Sequence, residues 1–142
     1  MKHVFKKVLA VAAIASASFV GNAAVAEYPE RPITMIVPFS AGTSTDTVSR
    51  LIAKVMSDNL GQPIVVENRA GAGGSVGTSE VVKADPDGYT IAMGTVGTLA
   101  INKSIFTDLP YDPEADVTPI SFVGYTPTLL VVGADSKFQT LE

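Results

Sequence analysis

The 142-residue sequence contains no cysteine and only one histidine, His3. Without thiols no disulfide can staple the fold, so a hydrophobic core must hold it together. Residues 1–26 carry Lys2, Lys6 and Lys7, then the uncharged, Ala-rich run Val8 to Val20, then the small-x-small triplet Ala24-Val25-Ala26. That order is the layout of a secretory signal, with cleavage expected after Ala26. The apolar run is too short to span a bilayer stably, so no membrane insertion is expected after cleavage. Cleavage also removes His3. Thiolate nucleophiles, Ser-His pairs and His- or Cys-ligated zinc or haem are thereby excluded. No Asp-x-Asp-x-Asp loop offers a carboxylate cage for a hard cation. The sequence therefore calls for no cofactor and no catalytic residue.

Positive charge is scarce too. Ten basic residues face fourteen acidic ones. With the three signal lysines removed, residues 27–142 carry a formal net charge of −7. Nucleic-acid binding needs Lys and Arg to neutralise phosphates, so no nucleic-acid partner is expected. Export without disulfides fits a bacterial periplasm. The 116 residues beyond Ala26 are enough for one domain.

What is present reads as alternating strand and helix. Glu27 to Pro32 is an extended lead-in whose two prolines block helix. Ile33 to Val37 is a short β-branched apolar run closed by Pro38, as expected of a buried strand. A helix is expected from about Asp46 to Leu60, with Val48, Leu51, Ile52, Val55 and Met56 forming one core-facing stripe and Gly61 ending it. Pro63 to Glu67 reads as a second strand, Arg69 to Gly77 as a glycine-rich loop, and Ser75 to Ala84 as a short helix. Asp85-Pro86-Asp87-Gly88 is a tight turn before a third strand, Tyr89 to Thr95. This order predicts an α/β fold with a parallel sheet. Val96 to Ser104 reads as a loop passing into a helical turn, and Leu109 to Pro119 as irregular chain. Ile120 to Tyr125 and Thr128 to Gly133 suggest two further strands. Tyr89, Tyr111 and Tyr125 read as packing residues. Thr140-Leu141-Glu142 resembles the start of a helix, so the sequence is expected to be truncated.

The leading candidate site is the loop Phe39-Ser40-Ala41-Gly42-Thr43-Ser44-Thr45. It leaves the carboxyl end of the first strand and opens the first helix, the place where open parallel sheets bind ligands. A helix start presents free N–H groups, small residues allow close approach, and hydroxyls add donors; together they suit an oxyanion. Carboxylate is favoured over phosphate because no Gly-Lys-Ser/Thr triplet supplies a lysine. An ordinary Ser/Thr cap explains the same residues equally well. Asp46 reads as a helix-start residue whose charge would repel an anion unless its side chain turns away. Thr95 and Thr98, after the third strand, either point hydroxyls into the same cleft or cap their own turn. Phe39 either lines the cleft or fills the core. Arg69 either meets a second ligand carboxylate or pairs with a nearby acid. Gly71, Gly73, Gly74 and Gly77 suggest a dinucleotide motif, but Val76 stands where G-x-G-x-x-G needs glycine, and a tight crossover is the plainer reading.

Several ordered motifs then carry a resemblance. Tyr28-Pro29-x-Arg31-Pro32-Ile33 and Val37-Pro38-Phe39-x-Ala41-Gly42-x-x-x-Asp46 are similar to the opening of the Bug family, the extracytoplasmic solute receptors of tripartite tricarboxylate transporters. The likeness runs on through Gly61 to Arg69, Gly71-Ala72-Gly73-Gly74, Ala84-x-Pro86-Asp87-Gly88-Tyr89-Thr90, Gly94-Thr95 and Leu109-Pro110-Tyr111-Asp112-Pro113. The resemblance implies a type II-like periplasmic-binding-protein fold of two lobes. It also implies a carboxylate held by backbone and hydroxyl groups, no cofactor, and membrane transporter subunits as partners. On that reading residues 27–125 are the first lobe, 126–142 cross into a second lobe that is largely missing, and residues 39–45 are the first gripping loop. Two positions depart from the family pattern: Ser40 where proline is usual, and Thr43 where a second glycine is usual. A positive φ at Thr43 would strain its β-branched side chain.

The function expected is a periplasmic receptor for a small organic carboxylate, not an enzyme. The alternatives are a nucleotide-dependent oxidoreductase using the glycine-rich loop, and a truncated fragment that binds nothing.

Overall fold

The structure is a computed structural model that describes residues 27–127, 129–138 and 140. The expected signal segment, 1–26, lies outside the described residues.

Three parallel strands form the centre: β1 (Ile33–Val37), β2 (Ile64–Asn68) and β3 (Thr90–Ala92), in the order β2-β1-β3. β1 is the middle strand. Ile33 pairs with Ile64 and Val37 with Asn68 on one side, and Thr34 with Thr90 and Ile36 with Ala92 on the other. A middle parallel strand is covered on both faces, which is why ITMIV is nearly all apolar. Ile33, Met35, Ile36 and Val37 are each 4 % exposed or less. Full burial of side chains this size stabilises by roughly 1.5–3 kcal/mol apiece.

Two helices connect the strands. α1 (Ser44–Leu60) packs on β1 and β2, and α2 (Ser75–Val82) on β1 and β3. α1 begins two residues earlier than expected because Thr43, in extended conformation, caps it: Thr43 Oγ1 accepts the Asp46 N–H at 3.3 Å. Gly61, at φ +69°, ends it by donating to the Ser57 carbonyl at 3.0 Å.

The inward face of α1 is not the expected one. Asp46, Ser49 and Ala53 are buried, whereas Val48, Leu51 and Val55 are exposed. Ile52 and Met56 are half-buried at the margin. Small side chains let the helix sit close to the sheet, and Asp46 turns inward because β2 and α1 supply donors for it. Apolar spacing alone carries neither fact.

After β2 the chain makes a 3₁₀ turn (Ala72–Gly74) and enters α2 directly. β3 is shorter than expected, although its pairing extends beyond it: Thr34 donates to Tyr89 O at 2.8 Å and Met93 to Ile36 O at 3.0 Å. A π turn (Gly97–Ile101) and the short α3 (Asn102–Ile105) follow, then irregular chain. Tyr111 is buried and donates its hydroxyl to Thr98 O at 2.7 Å. The two further strands expected within 120–133 do not form among the described residues. Ile120, Phe122, Leu130 and Val131 are all about 80 % exposed, and none of the three described strands pairs with them. A strand needs such a partner to satisfy its backbone. Tyr125, expected to pack, is 86 % exposed.

Candidate functional site

The carboxyl ends of all three strands meet at one place. Pro38 and Phe39 leave β1, the glycine turn leaves β2, and Thr95 to Thr98 follow β3. They converge on Gly74, which sits at φ +91°. A Cβ there would lie 2.6 Å from Thr98 Cγ2, 3.3 Å from Phe39 Cζ and 3.4 Å from Pro38 Cβ. Gly77 is just as close to the strand, its notional Cβ 2.8 Å from the Arg69 carbonyl oxygen and 2.9 Å from Pro38 Cα. The glycines therefore serve close packing of α2 against the end of β1. Asn102 reinforces this, donating to Gly73 O and Ser75 Oγ, both at 3.0 Å. The N–H groups of Gly74 and Val76 already donate to the Gly71 carbonyl and that of Ser75 to the Ala72 carbonyl, so the amides at the start of α2 that would cradle a pyrophosphate are taken up by the turn itself. The oxidoreductase alternative loses its loop on that ground.

The loop at residues 39–45 is open by contrast. Ser40, Ala41, Gly42 and Ser44 are exposed. Gly42, at φ +85°, makes the turn, and a Cβ there would meet nothing within 4 Å. Thr43 has φ −70°, so the strain expected from its β-branched side chain does not arise.

Two of the loop's amides are already bonded within the protein. The Gly42 N–H donates to Asp46 Oδ2 at 2.8 Å, and the Thr43 N–H to Ser40 O at 3.4 Å. Thr43 Oγ1 also donates to Ser40 O at 3.0 Å. Thr43 thus builds the loop and offers nothing outward. The N–H groups of Ser40, Ala41, Ser44 and Thr45 have no acceptor among the described residues. Ser44 and Thr45 occupy the first turn of α1, where no preceding helical carbonyl exists to receive them.

Asp46 is 3 % exposed and lies beneath the loop. Its carboxylate meets Arg50 at 3.0 Å, the Gly42 N–H at 2.8 Å and Asn68 Nδ2 at 2.9 Å. The Arg50 guanidinium, then the Gly42 amide, then Asn68 lower its pKa from 3.8 to about 2. A paired carboxylate turned inward does not repel an anion on the outer side of the loop. Asn68 and Arg50 had no role assigned from sequence; the one available signal was a polar side chain closing β2 beside the loop.

The remaining candidates have structural partners. Thr98 is fully buried, and its hydroxyl accepts the Thr95 N–H at 3.0 Å. Its expected place in an open cleft is corrected: it shapes the turn on which half-buried Thr95 sits. Arg69 pairs with Glu80 at 3.0 Å and Glu67 at 2.5 Å, so it is not free for a ligand. Phe39 is half-buried, its ring against Gly74. An open groove of about 490 Å³ lies elsewhere, between α2 and residues 106–110, and no residue of the 39–45 loop lines it. Among the described residues no group of three or more His, Cys, Asp or Glu side chains could hold a metal ion.

Comparison with known proteins decides the family. The profile described as tripartite tricarboxylate transporter family receptor matches residues 48–142. The chain belongs to that family. The BugT protein of Bordetella pertussis is 42 % identical over 130 residues, covering 91 % of this chain and 40 % of that one. Among solved structures, the periplasmic binding protein BugD superposes with a TM-score of 0.60 at 45 % identity, over 63 % of this chain and 29 % of that one. MatC from Rhodopseudomonas palustris, solved with bound malate, superposes with a TM-score of 0.63 at 46 % identity, over 65 % of this chain and 31 % of that one. The chain thus spans about 40 % of the length of the curated relatives it matches. The α/β architecture is that of a partial periplasmic-binding-protein lobe.

Proposed function

We propose that this chain is the first lobe of a periplasmic receptor that captures a small organic carboxylate and delivers it to the membrane subunits of a tripartite tricarboxylate transporter. One observation carries the reading. Ser40, Ala41, Ser44 and Thr45 present unbonded N–H groups from one exposed loop at the carboxyl end of the middle strand. Such a loop, at the positive end of a 17-residue helix, stabilises a carboxylate without needing a cation. The hydroxyls of Ser40, Ser44 and Thr45 add donors beside the amides, and Phe39 and Thr95, at the carboxyl ends of β1 and β3, are proposed to line the same cleft. Gly42 and Thr43 shape the loop from within.

Solved relatives with malate and with adipate support the ligand class. The family and the signal-like residues 1–26 support export to the periplasm with cleavage after Ala26. Capture without chemistry is the role proposed. A second wall of the cleft would come from the second lobe.

A thermal-shift screen with malate, adipate and citrate tests this. At least one acid is expected to raise the melting temperature, and the rise should disappear in Gly42→Val, whose side chain does not tolerate φ +85°. An equal rise in the variant contradicts the loop assignment.

A further inference from the structure

Asn68 closes β2, and both the nitrogen and the oxygen of its side-chain amide are bonded. Nδ2 donates to the Phe39 carbonyl at 3.0 Å and to Asp46 Oδ1 at 2.9 Å. Its Oδ1 accepts Arg50 Nη2 at 2.9 Å. All three bonds run to the loop or to the first turns of α1.

The bond to Phe39 controls more than Phe39. A carbonyl and the following N–H share one rigid plane, and in a trans peptide they point in opposite directions. Drawing the Phe39 carbonyl toward β2 therefore turns the Ser40 N–H away from β2. The next peptide behaves alike: Thr43 holds the Ser40 carbonyl through its N–H and its hydroxyl, which turns the Ala41 N–H away from Thr43. The directions of these two amides are thus set by the bonds on the carbonyls before them.

We propose that Asn68 is a positioning residue for ligand capture: it aims the Ser40 amide by holding the Phe39 carbonyl, and it fixes the base of the loop by holding Asp46. This inference rests on the receptor reading above. It also explains the residue type. Only a side-chain amide donates twice and accepts once here. Aspartate would lose both donors and set a second carboxylate against Asp46, while alanine would leave the Phe39 carbonyl free to rotate.

The test uses whichever of malate, adipate or citrate binds the wild type. Calorimetric titration compares wild type, Asn68→Ala and Asn68→Asp at a temperature where circular dichroism shows each one folded. Asn68→Ala should bind about tenfold more weakly, the loss that the contribution of one supporting hydrogen bond corresponds to. Asn68→Asp should bind more weakly still. The Ser40 amide resonance should be displaced in both variants before any ligand is added, a change that a loss of global stability would not produce in folded protein. Wild-type affinity in folded Asn68→Ala overturns the positioning role and leaves the receptor reading standing. A wild type that binds none of the acids overturns the receptor reading, and the positioning role falls with it. If neither variant folds, the wild type decides: the Asn68 side-chain amide resonances must move during the titration with the same midpoint as Ser40, and resonances that stay fixed overturn the proposal.

Discussion

Asn68 Nδ2 lies 2.9 Å from Asp46 Oδ1, and that bond joins the end of β2 to the first turn of α1. It places a buried carboxylate directly under a loop proposed to hold another carboxylate. The arrangement is tolerable because Arg50, Gly42 and Asn68 neutralise and saturate Asp46 before any ligand arrives. A charge-assisted hydrogen bond from a backbone N–H is stronger than a neutral one, so the Gly42–Asp46 contact also restrains the loop's shape.

Acid should expose this arrangement. The folded-state pKa of Asp46 is depressed from 3.8 to about 2, so the stability it contributes is complete above roughly pH 4 and is lost as pH falls toward 2. Melting temperatures measured from pH 6 to pH 2 should fall over that window. Asp46→Asn should be less stable at pH 6 and should show a shallower fall between pH 4 and pH 2. An unchanged acid limb in the variant would place the acid sensitivity elsewhere.

Two glycines should respond differently to alanine. Gly77→Ala forces a Cβ to 2.8 Å from a backbone oxygen, and overpacking of that kind costs about 1–3 kcal/mol. Gly42→Ala meets open space and bears only the cost of a left-handed residue, roughly 1–2 kcal/mol. Urea midpoints for the two variants rank them. A larger loss at Gly42 would mean that the loop, and not the α2 contact, limits stability.

The lead-in should act as a clasp on the Asp85–Gly88 turn. Tyr28 donates to Gly88 O at 2.7 Å, Arg31 pairs with Asp87 at 2.8 Å, and the Arg31 guanidinium lies 3.8 Å from the Tyr89 ring centre. Tyr28→Phe should cost about 0.5–1.5 kcal/mol, the usual contribution of one hydrogen bond. The exposed Arg31–Asp87 pair should contribute less, about 0.2–1 kcal/mol. Urea unfolding of Tyr28→Phe and Asp87→Asn reads both.

Chymotrypsin should find the irregular segment first. Phe122 and Tyr125 are 80 % and 86 % exposed and belong to no ladder, so brief digestion should cut there and spare Phe39. Mass spectrometry of the early fragments checks it.

Much of the fold was legible because its signals are local. Ile33 to Val37 reads as a buried strand from five residues, Gly61 marks a helix end, and Pro38 closes β1. The inward face of α1 was not legible. Spacing chose Val48, Leu51 and Val55, but contact with the sheet selects small Ser49 and Ala53, and Asp46 follows its donors on β2 and α1. The strands expected within 120–133 failed for a related reason: an apolar run becomes a strand only beside another strand. At the candidate site, the loop was found from its hydroxyls and its place after β1. Which amides stay open was hidden, because that depends on where Asp46 and Thr43 turn, and Asn68 reaches the loop from 29 residues away.

The most direct measurement is an amide chemical-shift titration of the ¹⁵N-labelled protein with a carboxylic acid that raises its melting temperature. Ser40, Ala41, Ser44 and Thr45 should show the largest, saturable shifts, while amides of α2 and residues 106–110 stay near their starting positions. Saturable shifts confined to α2 and the groove beside it, with the 39–45 loop unmoved, would contradict carboxylate capture at the start of α1.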